Sequence, residues 1–187
     1  FGMSELDDDI VALFERRVYD LAGCVAGVRV FLNGERVPVR TFKQYVELFQ
    51  LSQGDEQAAE AAAAAALSQG EAVGSQLSLP KPPSSIVHER VNERWEVCVA
   101  PSDGQFAQMS FVNSICTSKG GTHVAHVADQ LVAAVIEALK KPKSGAGKEL
   151  AASLKPFHVR NHMALFVNCL IENPSFDSQT KENMTLR

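Results

Sequence analysis

The order of apolar and polar residues changes period several times along the chain, and each change marks an element. Asp7, Asp8 and Asp9 precede the apolar run Ile10–Phe14, and Val18 and Leu21 continue it at helical spacing. Carboxylates at a first turn cap exposed amides and meet the helix dipole favourably, so this pattern predicts a helix start, with Gly23 as its stop. Val28 to Val39 alternates around Asn33-Gly34, a pair suited to the positive φ angles of a tight hairpin turn. Pro38 lacks an amide donor, which puts that arm at a sheet edge or at its end. Thr41 is placed to cap a short amphipathic helix carrying Phe42, Tyr45, Val46 and Phe49. After Ile86, the alternation of Trp95, Val97 and Val99 predicts a half-buried strand. Ser102-Asp103-Gly104 makes a turn, and Phe106 to Val112 returns as a second strand. Thr122 opens a helix with the face Val124, Val127, Leu131, Val135 and Leu139. The run Met163 to Ile171 is apolar almost throughout, as a central strand buried on both faces requires. The expected class is α+β, a sheet packed on helices.

Residues 52–85 break this order. Alanine-rich, flanked by Ser, Gln and Gly and closed by Pro80, Pro82 and Pro83, they offer almost no side chain for burial and read as a surface insertion. The whole chain has 187 residues, 45% hydrophobic and 21% charged, with a net charge of -4. That composition excludes a wholly disordered or fibrous chain and argues against a broad basic coat, while leaving room for a local basic patch. No run approaches the roughly 18 apolar residues of a membrane span. Phe1-Gly2-Met3 lacks the features of a signal peptide, so the chain is expected to begin within a longer polypeptide. Cys24, Cys98, Cys116 and Cys169 are scattered and never form a C-x-x-C pair, the pattern of free thiols in a reducing compartment rather than of a zinc site or a disulfide framework.

Three segments carry candidate chemistry. Lys119-Gly120-Gly121-Thr122-His123 precedes a helix whose first amides could hold an anion, although the glycines lack the spacing of a phosphate loop. Lys140, Lys141, Lys143 and Lys148 run from a helix end into a glycine-rich connection that could follow a phosphate backbone. Gln179-Thr180-Lys181 lies in a polar loop after the buried strand, combining neutral donors with a compact cation suited to a terminal phosphate. A surface loop and a solvated helix end are the plain alternatives. The five histidines show no ligand spacing, no nucleophile triad can be read from the chain, and Tyr19 and Tyr45 sit at packing positions.

Longer strings sharpen this picture. His88–Cys98, Ser110–Ile115, Lys119–Val124, Phe166–Pro174 and Phe176–Asn183 resemble the eukaryotic type IIA DNA topoisomerases, as do Leu6–Gly23 and Val28–Gly34. The resemblance implies the C-terminal part of an ATPase region. On it, residues 1–40 are the last helix and hairpin of a gyrase/Hsp90/histidine-kinase/MutL-type nucleotide-binding domain. Residues 41–187 are a transducer domain similar to the second domain of ribosomal protein S5, including a left-handed βαβ crossover. Gln179, Thr180 and Lys181 would form the loop that reaches ATP, with Gln179 and Lys181 at the γ-phosphate and Lys181 stabilising charge as the bond to the diphosphate breaks. Lys140, Lys141 and Lys143 would contact double-stranded DNA, with Pro142 replacing a lysine of the family pattern.

The parent enzyme would use ATP with Mg2+, act as a nuclear homodimer, have no membrane segment, and pass one duplex through a transient break in another. The Bergerat-type nucleotide motifs, the ATP lid and the cleavage tyrosine have no counterpart in this sequence, so the chain alone is expected neither to hydrolyse ATP nor to cut DNA. The alternative is a non-catalytic module that contacts DNA and supports a dimer. A chaperone-like or kinase-like relative sharing the fold would lack the string-level match.

Overall fold

The computed structural model describes residues 5–50, 86–140 and 154–186; the low-complexity stretch 52–85 lies outside them. Helix α1 spans Asp8–Cys24, and the Asp7 carboxylate caps it by accepting from the Ile10 amide at 2.8 Å. The helix does not stop at Gly23. A Cβ placed on Gly23 would stand 2.6 Å from Tyr45 Cβ, so this glycine serves close packing rather than termination. Strands β1 (Phe31–Leu32) and β2 (Glu35–Arg36) form the expected hairpin, with Asn33 at φ 50° and Gly34 at φ 86°. Residues 42–50 form α2, whose Gln44 amide donates to Thr41 Oγ1 at 3.2 Å.

The main sheet has the order β3-β4-β8-β5-β6, from Val87–Asn92, Trp95–Pro101, Met163–Cys169, Ala107–Val112 and Ile115–Cys116 respectively. The sequence pattern makes β5 the returning partner of β4. Instead β8 lies between them, antiparallel to β4 and parallel to β5. β4 has another neighbour, the edge strand β3, which the alternation does not reveal because its side chains are largely exposed. Short strands β7 (Gly120–Gly121) and β9 (Asn183–Met184) pair in parallel apart from the main sheet. Helices α3 (Thr122–Leu139) and α4 (Pro156–Asn161) complete the described elements, and the chain passes from β5 to the parallel β8 through α3.

β8 is buried at every position, as the apolar run predicts, but it ends at Cys169, two residues short of that run, with Leu170 exposed and Ile171 half-buried. Because side chains alternate along a strand, its residues divide between two cores. Met163, Leu165, Val167 and Cys169 join Val124, Ala128 and Val132 of α3, while Ala164 and Phe166 join Ala22 of α1 and Phe42, Tyr45 and Val46 of α2. The second core is rich in aromatic edges: Tyr45 meets Phe111 at 5.7 Å, and Phe49 meets Phe166 at 6.0 Å between centroids. On α3 the buried line is His123, Val124, Ala128 and Val132. Val135 and Leu139, assigned to the buried face by spacing, are exposed; Val135 borders an open cleft that it shares with Val87, Val99 and Val159 rather than packing into the core. All four cysteines are free, and those at 98, 116 and 169 are buried.

Polar contacts also tie α1 to the rest. Asp20 is buried and accepts from the Tyr45 hydroxyl at 2.5 Å and from Arg17 at 3.4 Å; Asn168 Nδ2 donates to the Cys24 carbonyl at 2.9 Å. Burial and the Asp20 carboxylate together push the Tyr45 phenol well above its ordinary range.

Gly23→Ala gives a direct check on this packing. In an open helix the change stabilises by up to about 1 kcal/mol. Here the new methyl overlaps Tyr45, and urea unfolding is expected to show a loss of about 1–3 kcal/mol.

Candidate functional site

The chain leaves β8 at its Cys169 end and forms a hairpin-like excursion. Thr185 N donates to the Ser175 carbonyl at 2.8 Å, Asp177 N donates to the Asn183 carbonyl at 3.3 Å, and Phe176 bridges Met184. These arms leave residues 178–182 as the tip. The Lys181 amide donates to the Ser178 carbonyl at 3.2 Å, which closes a turn with Gln179 and Thr180 at its centre, and Lys181 itself takes a left-handed backbone at φ 58°. Gln179 and Thr180 are exposed and Lys181 is partly buried.

The other arm of this hairpin, β9, lies against β7 at the start of α3. Only glycine permits that approach. A Cβ on Gly121 would stand 2.2 Å from the Met184 carbonyl oxygen, and Gly121 holds φ 136°. Gly121 is also the N-cap of α3, with no side chain to cap it; the Thr122 hydroxyl donates instead to the Leu186 carbonyl. Lys119 adds two contacts, its amide to the Glu182 carbonyl at 3.0 Å and its ammonium to Glu182 Oε2 at 2.8 Å. Each partner shifts the other: the ion pair raises the Lys119 pKa and lowers that of Glu182. Two segments that the sequence presents as separate candidates, the Gly-Gly turn and the Gln-Thr-Lys loop, therefore form one unit. Glu182 is a participant that spacing does not single out.

Within the tip, Ser178 Oγ and Thr180 Oγ1 share a hydrogen bond of 2.8 Å, and Thr180 Oγ1 donates to Glu182 Oε2 at 3.3 Å. Asp177 Oδ2 accepts from Asn183 Nδ2 at 2.9 Å. Lys181 is different. Among the described residues its ammonium has no carboxylate within ion-pair distance and lies over the Phe176 ring, 5.9 Å from the centroid. The loop thus presents an unpaired cation beside an exposed amide side chain, a donor set suited to a multiply charged anion.

Beneath the Gly-Gly turn lies a buried polar chain. The Thr117 hydroxyl stands 3.0 Å from the Ser110 carbonyl, 2.6 Å from Ser110 Oγ and 3.1 Å from His123 Nε2, and the buried His123 Nδ1 has no partner among the described residues. Burial holds the His123 pKa down at about 4. This ring supports the start of α3 as a neutral packing group.

The lysine candidates stand elsewhere. Lys140 is the C-cap of α3, and α3 has 18 residues, so at 1.5 Å per residue Lys140 lies about 27 Å along the helix from the loop unit. Lys141, Lys143 and Lys148 fall outside the described residues. Among the described residues no group of three or more His, Cys, Asp or Glu side chains is placed to hold a metal ion, and no helix is long and apolar enough to cross a membrane.

The same pattern and fold recur in known proteins. The DNA gyrase B family matches residues 43–187. DNA topoisomerase 2 of Drosophila melanogaster is 50% identical over 187 residues, all of this chain and 11% of the relative. The ATPase region of Saccharomyces cerevisiae topoisomerase II superposes with a TM-score of 0.70 at 42% identity, covering 100% of this chain and 38% of that one. The ATPase and transducer domains of DNA topoisomerase II from Balamuthia mandrillaris superpose at 0.73 with 39% identity, again covering 100% and 38%. The chain thus spans about a tenth of the length of the curated relatives it matches, 11% and 10% for the first two.

His123 makes stability depend on pH. Its folded value of about 4 lies below the ordinary 6.5, so between these values the unfolded chain binds the extra proton. The contribution from the neutral ring is complete above 6.5 and declines as pH falls towards 4. Urea midpoints measured from pH 7 down to pH 4.5 are expected to fall more steeply in the parent chain than in His123→Gln.

Proposed function

The chain belongs to the DNA gyrase B family, with eukaryotic DNA topoisomerase 2 relatives matching its whole length, and on that premise we propose that it couples the γ-phosphate of bound ATP to movement of a DNA gate. The parent protein is read as an ATP-dependent type II topoisomerase, an isomerase that works as a nuclear homodimer and passes one duplex through a transient break in another. Residues 1–40 are read as the end of its nucleotide-binding lobe and 41–187 as its transducer. Support for the first part comes from α1, where Val11, Leu13, Phe14 and Leu21 are exposed at 40–55% on a helix that a larger lobe would cover.

The observation that carries the reading is the Lys181 ammonium, unpaired among the described residues, at the tip of a loop anchored on both sides. An amine held without a competing carboxylate is ready for a terminal phosphoryl group. Lys181 would place positive charge where negative charge grows as the bond to the diphosphate breaks, an effect that depends on fixed position rather than on proton transfer. Gln179 would donate its amide hydrogens to the same oxygens, and Thr180 would complete the contact from the turn. Once phosphate leaves, Lys181 and Gln179 lose their partner. Because the loop is joined to the start of α3, its displacement would be carried along that helix, which gives the two nucleotide states different preferred arrangements.

The described residues do not fit a Mg2+ site: of the loop's carboxylates, Glu182 is committed to Lys119 and Asp177 to Asn183. Any Mg2+ that accompanies ATP would be held by other parts of the protein.

A second reading concerns the far end of α3. Lys140 closes that helix in an exposed position, and Lys141 and Lys143 follow in sequence. Contact with the phosphates of double-stranded DNA there would be independent of base sequence and sensitive to salt. A module serving only as a DNA-contacting, dimer-supporting scaffold would need this patch and not the loop.

Lys181→Ala in a full-length protein carrying this chain tests the first reading. Turnover of ATP is expected to fall by about 100- to 1,000-fold, the effect of removing one charge-stabilising donor, with a smaller change in nucleotide affinity. Unchanged turnover removes Lys181 from the chemistry. For the second reading, Lys140→Glu with Lys141→Glu is expected to weaken DNA binding. Its dependence on log salt should flatten by about 0.9 for each phosphate that the lysines no longer neutralise. DNA-stimulated ATP turnover that survives this double change would rule the patch out.

A further inference from the structure

Lys119, Lys181 and the Glu182 carboxylate meet at the loop, and among the described residues only Lys119 of the two lysines has a carboxylate partner. Glu182 directly follows Lys181 in the chain, yet its Oε2 accepts from Lys119, 63 residues away, at 2.8 Å. The backbones of the same two residues are joined as well, Lys119 N to the Glu182 carbonyl at 3.0 Å. Asp177, the loop's other acid, bonds to Asn183. The Lys181 ammonium is left against the face of Phe176. The side chains of Lys119 and Glu182 are 68% and 38% exposed, and an ion pair so open to water contributes little to folding. Its distinctive effect is on charge: it occupies the carboxylate nearest in sequence to the free ammonium.

We propose that Lys119 and Glu182 are positioning residues for the loop, with Lys119 neutralising Glu182 so that Lys181 remains available to an anionic phosphoryl group. This rests on the reading of Lys181 as the phosphate-contacting cation and adds what keeps it uncommitted. Without Lys119, the freed carboxylate competes with the phosphate oxygens for the Lys181 ammonium. The ground state then holds an internal ion pair that must break before the productive contact forms.

The test uses a full-length protein carrying this chain. Lys119→Met is expected to lower kcat for ATP by about three- to fivefold, the reach of an exposed ion pair, with KM for ATP and the thermal midpoint little changed. Adding Glu182→Gln to Lys119→Met removes the competing charge and is expected to restore most of the lost kcat. Full activity in Lys119→Met overturns the proposal. So does a loss that the second substitution leaves unrepaired, or one that tracks a fall in thermal midpoint, since either marks a purely structural anchor. Lys181→Ala is run in parallel: if it leaves turnover intact, the phosphate reading itself fails and takes this proposal with it. A Lys181→Ala protein that is inactive beside a fully active Lys119→Met protein overturns the positioning role alone.

Discussion

Strand β8 has no solvent-facing side. Seven consecutive residues, Met163 to Cys169, are buried, and because successive side chains point to opposite faces, each face must be covered by something apolar. That single constraint fixes the layers. α3 covers Leu165 and Val167, the end of α1 with α2 covers Ala164 and Phe166, and β4 and β5 flank the strand on its two edges. The layers are knit by a few polar contacts at their borders. Asn168, the one polar residue of β8, donates from the strand to the α1 carbonyl of Cys24.

The candidate loop hangs from the end of this strand. Just beyond Cys169 the chain is held by Asn113, whose side chain accepts from the Ile171 amide and donates to the Ile171 carbonyl. The chain then loops out and returns onto the first residues of α3. Gly121 is the pivot of that return, because its missing side chain is the space through which the Met184 backbone passes. The loop is thereby fastened to a buried strand at one end and to a helix start at the other. A loop so anchored can hold a cation in a fixed place, and its movement is shared with the helix.

The two readings of the molecule occupy opposite ends of α3 and do not compete for residues. At the loop end the acids are already paired, and Lys181 is left unpaired among the described residues. The other end is a solvent-exposed helix terminus closed by Lys140. On the proposed reading, a helix joining the Lys181 loop to a lysine-bearing terminus offers a route for coupling, since rigid elements with two arrangements carry free energy between sites. Sequence matches alone would not distinguish a coupled device from two independent patches; the fastening of β9 to β7 is what favours the first.

Local pattern makes much of this legible. Asp7 signals the start of α1, Asn33-Gly34 the hairpin, Thr122 to Leu139 the long helix, and the apolar run from Met163 the central strand, because each depends on residues a few positions apart. The Gln179-Thr180-Lys181 tip is also visible as a donor-rich polar loop, and longer strings tie it to a family. The remainder is decided across distance. Periodicity shows which face of a strand is buried but not which strand lies beside it, so the insertion of β8 between β4 and β5 has no local signature. Gly23 has the look of a stop in sequence, and only the packing of Tyr45 against it gives its true role. Lys119 and Glu182 become partners only because two short backbone segments, brought together by the packing around β8, pair where glycine leaves room.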